Sequence, residues 1–133
     1  MTIRSLVPIV VFGFVGAARP SLHHSVTATY DPDRLVPLTG SITRVTVVNP
    51  HVKVELNAPG PGGVTMWTVE MAPPNALIRK GFDPRSLQAG QQVTFESWLR
   101  RDGQPEATGR TLVTADGARI DVGDALGWTA VSR

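Results

Sequence analysis

The chain of 133 residues contains no cysteine. Disulfides are therefore excluded, and so are thiolate nucleophiles and soft thiolate metal ligands. The fold must be held by core burial alone, and any bound metal ion must use histidine nitrogen and oxygen ligands. Histidine itself is scarce, because the chain has only three.

A large excess of charge of either sign is also absent. Thirteen basic and eleven acidic residues give a formal net charge of +2. A nearly neutral chain has no electrostatic basis for binding a phosphate backbone. We therefore expect no nucleic-acid partner.

The chain has no hydrophobic run of the roughly 20 residues that a membrane-spanning helix requires. The apolar run LVPIVVFGFVGA covers residues 6–17 and follows a single basic residue, Arg4. Small residues close this run, which predicts a signal peptide over residues 1–18 with cleavage after Ala17 or Ala18. The mature chain of 115 residues is then expected to be periplasmic or secreted, without a membrane span. A buried N-terminal strand or helix, or a retained anchor, is the alternative.

Glycine (13 residues) and proline (11 residues) are abundant, which favours short strands joined by turns. Residues 19–36 show little periodicity and are predicted to form an extended N-terminal arm. Apolar alternation then predicts strands over residues 37–48, 51–56, 64–71, 91–99, 111–114 and 118–122. Residues 58–63 are predicted to form a loop.

The segment PNALIRKG has the composition of one or two helical turns, with Asn75 as N-cap and Gly81 as the closing residue. A short helix after the third strand is typical of the OB-type barrel. We therefore predict an all-β fold, a small five- to six-stranded OB-type barrel in residues 37–133 with one short helix between strands 3 and 4. Gly40 and a change of apolar parity between Ile42 and Val45 predict a bulge in the first strand. A small sandwich or an SH3-like barrel is the alternative.

Several short motifs follow one another in a fixed order along the chain. They are His23-His24-Ser25, Asn49-Pro50-His51, Trp67-Thr68-Val69-Glu70 and the segment PNALIRKG. In this order they resemble a family of short exported bacterial proteins of uncharacterised function with the pattern HHS…NPH…WxxE…PNxLxRxG. The resemblance covers essentially the whole mature chain. It implies a secreted or periplasmic single domain and brings no established activity.

The three histidines fall in two of these motifs, with His23 and His24 in the arm and His51 after the first strand. Imidazole is the commonest metal-binding side chain for zinc and copper at neutral pH. We therefore predict a copper or zinc site formed by His51 with His23 or His24. Three carboxylates are candidate oxygen ligands: Asp31, Glu55 and Glu70. The alternative is that His51 packs at the turn while the histidine pair belongs to a solvated arm.

No pattern in the sequence indicates catalysis. Glu70 has no second carboxylate at a spacing that suggests general acid–base chemistry, and a Gly-x-Ser-x-Gly elbow is absent. Trp67, on the opposite face of its strand, is expected in the core. The protein is therefore predicted to be a binding or accessory module and not an enzyme. An enzyme that uses Glu70 beside a histidine is the third alternative.

A second candidate surface centres on Trp98, which has the opposite strand parity from Val93 and Phe95. Trp98 is therefore expected on the outer face of its strand. With Arg100 and Arg101 it is predicted to form a surface for a protein or glycan. The expected partner is thus an unknown periplasmic protein or a small ligand.

Overall fold

A computed structural model describes residue 26 and residues 28–124 of the chain. The predicted signal peptide and the predicted metal ligands His23 and His24 lie outside the described residues. The elements are β1 (Tyr30–Thr46), β2 (Lys53–Gly60), β3 (Gly63–Glu70), α1 (Pro74–Arg79), a 3-10 turn (Pro84–Ser86), β4 (Gln92–Arg100), β5 (Glu106–Thr114) and β6 (Arg119–Asp121). The predicted all-β class is confirmed, and α1 lies between β3 and β4 as predicted.

The six strands form one sheet in the order β3-β2-β1-β4-β5-β6. Neighbours in this order are antiparallel. One further pairing joins β3 to β5, and this pairing is parallel, with Thr68 opposite Glu106 and Glu70 opposite Thr108. The C-terminal end of β3 therefore contacts both β2 and the start of β5.

Strand β1 is long because it pairs with two strands in succession. Its part up to Ser41 pairs with β4, and its part from Ser41 to Thr46 pairs with β2. It begins at Tyr30, inside the segment predicted as an extended arm. The pairing with β4 shifts register between Tyr30 and Leu35, which accommodates the turn-forming residues of that stretch.

The bend of β1 lies where the strand changes partner. A Cβ on Gly40 would overlap the carbonyl oxygen of Asn57 and lie 2.7 Å from Cδ1 of Leu56, so the backbones approach too closely for any side chain. The register with β2 then shifts between Ile42 and Arg44. The predicted bulge is confirmed.

The hairpin between β2 and β3 is tighter than predicted. Both strands extend into the segment assigned to a loop, so that Gly60 pairs with Gly63 across a two-residue turn. Gly63 has φ +109°, a conformation that side chains disfavour. The prediction of a loop over residues 58–63, which was based on composition, is wrong. Pro59 pairs in register opposite Val64.

Helix α1 begins differently from the prediction. Pro73 occupies the N-cap position without a side-chain hydrogen bond, so the prediction of Asn75 as N-cap is wrong. Pro74 fills the first helical position, where the N–H group that proline lacks would have had no partner within the helix. Gly81 has φ +84° and closes the helix as predicted.

The core lies on the inner side of the sheet and continues beyond the last strand. Val54, Val69 and Phe95 are fully buried in it, and Trp67 packs against it as expected. Val122, which follows β6, is also fully buried. Among the described residues, no helix has the length and hydropathy to span a membrane.

Candidate functional site

Backbone hydrogen bonds of the next residue, Val52, hold His51 beside the end of β3. The N–H of Met71 donates to the carbonyl of Val52 at 2.8 Å, and the N–H of Val52 points to the carbonyl of Ala72 at 3.5 Å. Val52 is fully buried, whereas the imidazole of His51 remains 36% exposed. The strand pair thus places the imidazole beside the side chain of Glu70.

Two carboxylates flank the imidazole, one at each ring nitrogen. Nδ1 of His51 lies 3.9 Å from Oε2 of Glu70, and Nε2 lies 3.7 Å from Oδ2 of Asp124. The other oxygen of Glu70, Oε1, is 3.3 Å from Nζ of Lys53, its cross-strand neighbour. We call these four residues, His51, Lys53, Glu70 and Asp124, the His51 cluster.

Asp124 reaches the cluster because the segment after β6 is anchored on both sides. The N–H of Ala72 donates to the carbonyl of Val122 at 2.8 Å. Lys80, just after α1, donates from Nζ to the carbonyl of Gly123 at 2.8 Å and to Oδ2 of Asp121 at 3.0 Å. These bonds fix the backbone that carries Asp124.

The first residue of β1 lies near the same end of the sheet. Burial, together with the negative charges of Glu70 and Glu106, raises the pKa of the Tyr30 hydroxyl to about 12 against the opposing effect of Arg100. Tyr30 therefore stays protonated at neutral pH. The end of β3 thus lies near both the start of β1 and the segment that follows β6.

The His51 cluster offers two half-sites for a metal ion. Two ligands that share a tetrahedral zinc ion at 2.0 to 2.1 Å stand about 3.3 Å apart, so each histidine–carboxylate pair is a few tenths of an ångström from that spacing. The two ring nitrogens point in different directions, and one ion therefore cannot bind both. Among the described residues, no group of three or more such side chains is arranged to hold a metal ion.

The other two candidate oxygen ligands, Asp31 and Glu55, each lie close to an arginine side chain. Oδ1 of Asp31 is 4.0 Å from Nη1 of Arg101, and Oε2 of Glu55 is 3.8 Å from Nε of Arg44. Within residues 28–124, the ion-pair contacts of His51 come from Glu70 and Asp124. Of the three carboxylates predicted as ligands, the structure therefore brings Glu70 to His51.

The candidate partner surface has a different charge pattern from that expected. Arg100 binds Asp102 through Nε and Nη2 and binds Glu106 through Nη1 at 2.8 Å, so its charge is already matched by two carboxylates. These bonds raise the pKa of Arg100 and lower that of Asp102 to about 2. Trp98 is half-buried on the outward side of β4. Its role in partner binding stays a prediction.

Sequence reasoning did not find Lys53 and Asp124 as members of this cluster. Lys53 follows from the register of the hairpin, which the predicted longer loop left open. Asp124 had no local signal, because its position depends on the path of the chain after β6 and on the bonds from Ala72 and Lys80.

The fold and the cluster together define a class: an all-β domain that gathers a histidine, a lysine and two carboxylates at one end of its sheet. The chain belongs to a family of unknown function (DUF6152), whose family model matches residues 13–110. That range includes all three histidines. Comparisons with curated proteins and with solved structures gave no match.

Proposed function

We propose that this protein is an exported, periplasmic binding module that holds a copper or zinc ion at His51. The observation that carries the proposal is the position of the His51 imidazole, with a carboxylate oxygen within 4 Å of each nitrogen. Imidazole and carboxylate together suit divalent zinc and copper. In the half-site with Glu70, Nδ1 of His51 and Oε2 of Glu70 supply the first two ligands.

The fold we propose for this module is the OB-type barrel. Three features support it: the sheet order β3-β2-β1-β4-β5, the parallel pairing of β3 with β5, and α1 between β3 and β4. The bend of β1 at Gly40, where it changes partner, also suits a sheet that curves strongly. In this fold the loop that contains His51 joins strands 1 and 2, a loop that OB-type barrels use in binding.

We propose His23 or His24 as the source of the remaining nitrogen ligands. His24 precedes Tyr30 by six residues, a length of chain that spans at most about 20 Å. Tyr30 lies close enough to Glu70 for the carboxylate to affect its pKa. That length of chain is enough for His23 or His24 to reach the His51 cluster.

Calorimetric titration of the mature protein, purified from the periplasm, with Cu²⁺ and with Zn²⁺ tests the proposal. Mass spectrometry of the same purified protein identifies the first residue of the exported chain. We expect at least one ion to bind with a Kd in the micromolar range or tighter, and His51→Ala to weaken binding by at least about tenfold, or 1.4 kcal/mol. Glu70→Gln should weaken it as well, since a carboxylate ligand is lost.

Glu55→Gln is the matched control for Glu70→Gln, because Glu55 is a carboxylate on the same hairpin that pairs with Arg44. Its metal affinity should equal that of the unchanged protein. Affinity weaker than about 0.1 mM for both ions, or affinity unaffected by both His51→Ala and His24→Ala, would contradict the proposed metal site.

A further inference from the structure

A groove lies at the opposite end of β4 and β5 from Arg100. It has a volume of about 510 Å³ and is lined by Gln91, Gln92 and Val93 on one side and by Thr114 and Asp116 on the other. A shallower depression of about 100 Å³ shares Gln92, Val93 and Thr114 with it. The two form one continuous surface, which we call the β4–β5 groove.

The depression extends the groove with hydroxyl groups on the outer face of the sheet. Thr39 of β1 and Thr94 of β4 line it, and their Oγ1 atoms are hydrogen-bonded to each other at 2.8 Å. Because each hydroxyl both donates and accepts, the pair retains bonding capacity toward a ligand.

Two tight turns form the walls of the groove and keep its polar groups in place. In the first, Oε1 of Gln91 accepts from the N–H of Gln88 at 2.9 Å. In the second, the N–H of Gly117 donates to the carbonyl of Thr114 at 2.9 Å, and Gly117 has φ +88°. The groove is thus built on strand ends and hydrogen-bonded turns.

The charge of the groove comes from one carboxylate. Asp116 is the ionisable side chain among the lining residues. Hydrogen bonds from the Thr114 hydroxyl and the Ala118 amide lower the pKa of Asp116, so it carries a negative charge at neutral pH. Both of these bonds reach Oδ1 of Asp116. The lining residues therefore offer an anionic ligand no opposite charge.

We infer that the β4–β5 groove binds a neutral, polyhydroxylated ligand, a short oligosaccharide. Glutamine amides and threonine hydroxyls both donate and accept hydrogen bonds, as sugar hydroxyls do, and the Asp116 carboxylate accepts from neighbouring hydroxyls. The exposed methyl groups of Ala115 and Ala118, which also line the groove, offer a small apolar surface to the C–H face of a sugar ring.

Amide chemical shifts recorded during titration of the ¹⁵N-labelled protein with maltose, cellobiose and chitobiose test this inference. We expect at least one disaccharide to shift the amides of Gln92, Thr114 and Asp116 with a Kd in the millimolar range. Gln92→Ala should weaken that binding at least about fivefold, because an amide that both donates and accepts is lost. Asp116→Asn should weaken it while improving the binding of glucuronate relative to the unchanged protein.

Gln88→Ala is the matched control, because Gln88 lies on the same turn and its side chain does not line the groove. It should bind the disaccharide as the unchanged protein does. The inference is overturned if no disaccharide shifts these amides at 50 mM, if Gln92→Ala binds unchanged, or if triglycine produces the same shifts, which would indicate a peptide site. None of these results bears on metal binding at His51, which uses other residues.

Discussion

Arg100 shows how one side chain organises a turn. It contacts Asp102 and Glu106 at the two ends of the loop between β4 and β5, and Asp102 also accepts from the N–H of Gln104 at 3.1 Å. The guanidinium group bonds the Asp102 carboxylate through two nitrogens, the geometry that makes arginine–carboxylate pairs specific. The loop therefore depends on the charge of Asp102.

Acidification should show this dependence through the titration of Asp102. Its pKa lies at about 2 in the folded protein, below the ordinary 3.8, so its ionised form favours folding above pH 3.8 and that stabilisation is lost as the pH falls toward 2. Replacement of Arg100 by glutamine should return the Asp102 pKa toward 3.8 and reduce this pH dependence, while the bond from the Gln104 amide remains. NMR titration of the Asp102 carboxyl and urea unfolding between pH 5 and 2 measure both effects.

Arg101→Gln serves as the comparison for Arg100→Gln, because Arg101 is adjacent and its charge lies near Asp31. The pKa of Asp102 should remain at about 2 in this variant. An Asp102 that titrates at 3.8 in the unchanged protein would show that the Arg100 bonds do not form in solution.

At the scale of elements, β1 determines the shape of the sheet. It connects β2 to β4, and its change of partner takes place where Gly40 lets the backbone approach Asn57. A side chain at position 40 would push the two strands apart. The bend therefore requires glycine at position 40, and this glycine is why the sequence predicted it.

Gly40→Ala should destabilise the fold by about 1–3 kcal/mol, because the added methyl group overlaps the backbone of β2 and the overlap must be relieved by strand movement. Gly62→Ala is the matched control, since a Cβ there meets no atom within 4 Å. Urea unfolding of both variants measures the difference. Equal stability of the two would show that β1 does not approach β2 this closely.

The elements that sequence reasoning found have one buried face with clear alternation. Val54 and Leu56 in β2, and Val93 and Phe95 in β4, are large apolar residues that occupy the inner face at every second position. Alternation of this kind follows directly from the side-chain period of a strand.

The N-terminal half of β5 lacked this signal and was missed. Its inward positions are Ala107 and Gly109, and small residues give no apolar periodicity. A Cβ on Gly109 would lie 3.2 Å from side-chain atoms of Phe95 and Val69, so the small residue is required by the packing. The tertiary contact, and not local propensity, decides the structure here.

At the scale of the whole molecule, the core extends past the last strand into the segment that follows β6. The segment after β6 lies against β5 and the end of β3, because Val122 donates to the carbonyl of Arg110 at 3.0 Å and accepts from Ala72 at 2.8 Å. Its side chain is fully buried. The same segment carries Asp124 to His51, so packing and the candidate site are coupled.

Val122→Ala should therefore lower the free energy of unfolding by about 2 kcal/mol, from two lost methyl groups and the cavity they leave. Val64→Ala is the matched control, because the Val64 side chain is 67% exposed on the β2–β3 hairpin. It should change stability by less than about 0.5 kcal/mol. Chemical denaturation measures both, and equal values for the two variants would show that residues 121–124 do not pack against the core.

The candidate site was predictable in part from the sequence. The motifs with His51 and Glu70 were visible in the sequence, and the hairpin brings them together. Asp124 joins them only through the three-dimensional path of the C-terminal segment, which no local pattern encodes.

The anchoring of residues 121–123 by Lys80 has a practical consequence for anyone who trims this chain for expression. A fragment cut at the limits of the family match would stop at Arg110, inside β5. It would leave Lys80 without its acceptors and the interior open to water where Val122 sits. Cloning boundaries for a soluble domain should therefore extend at least through Asp124.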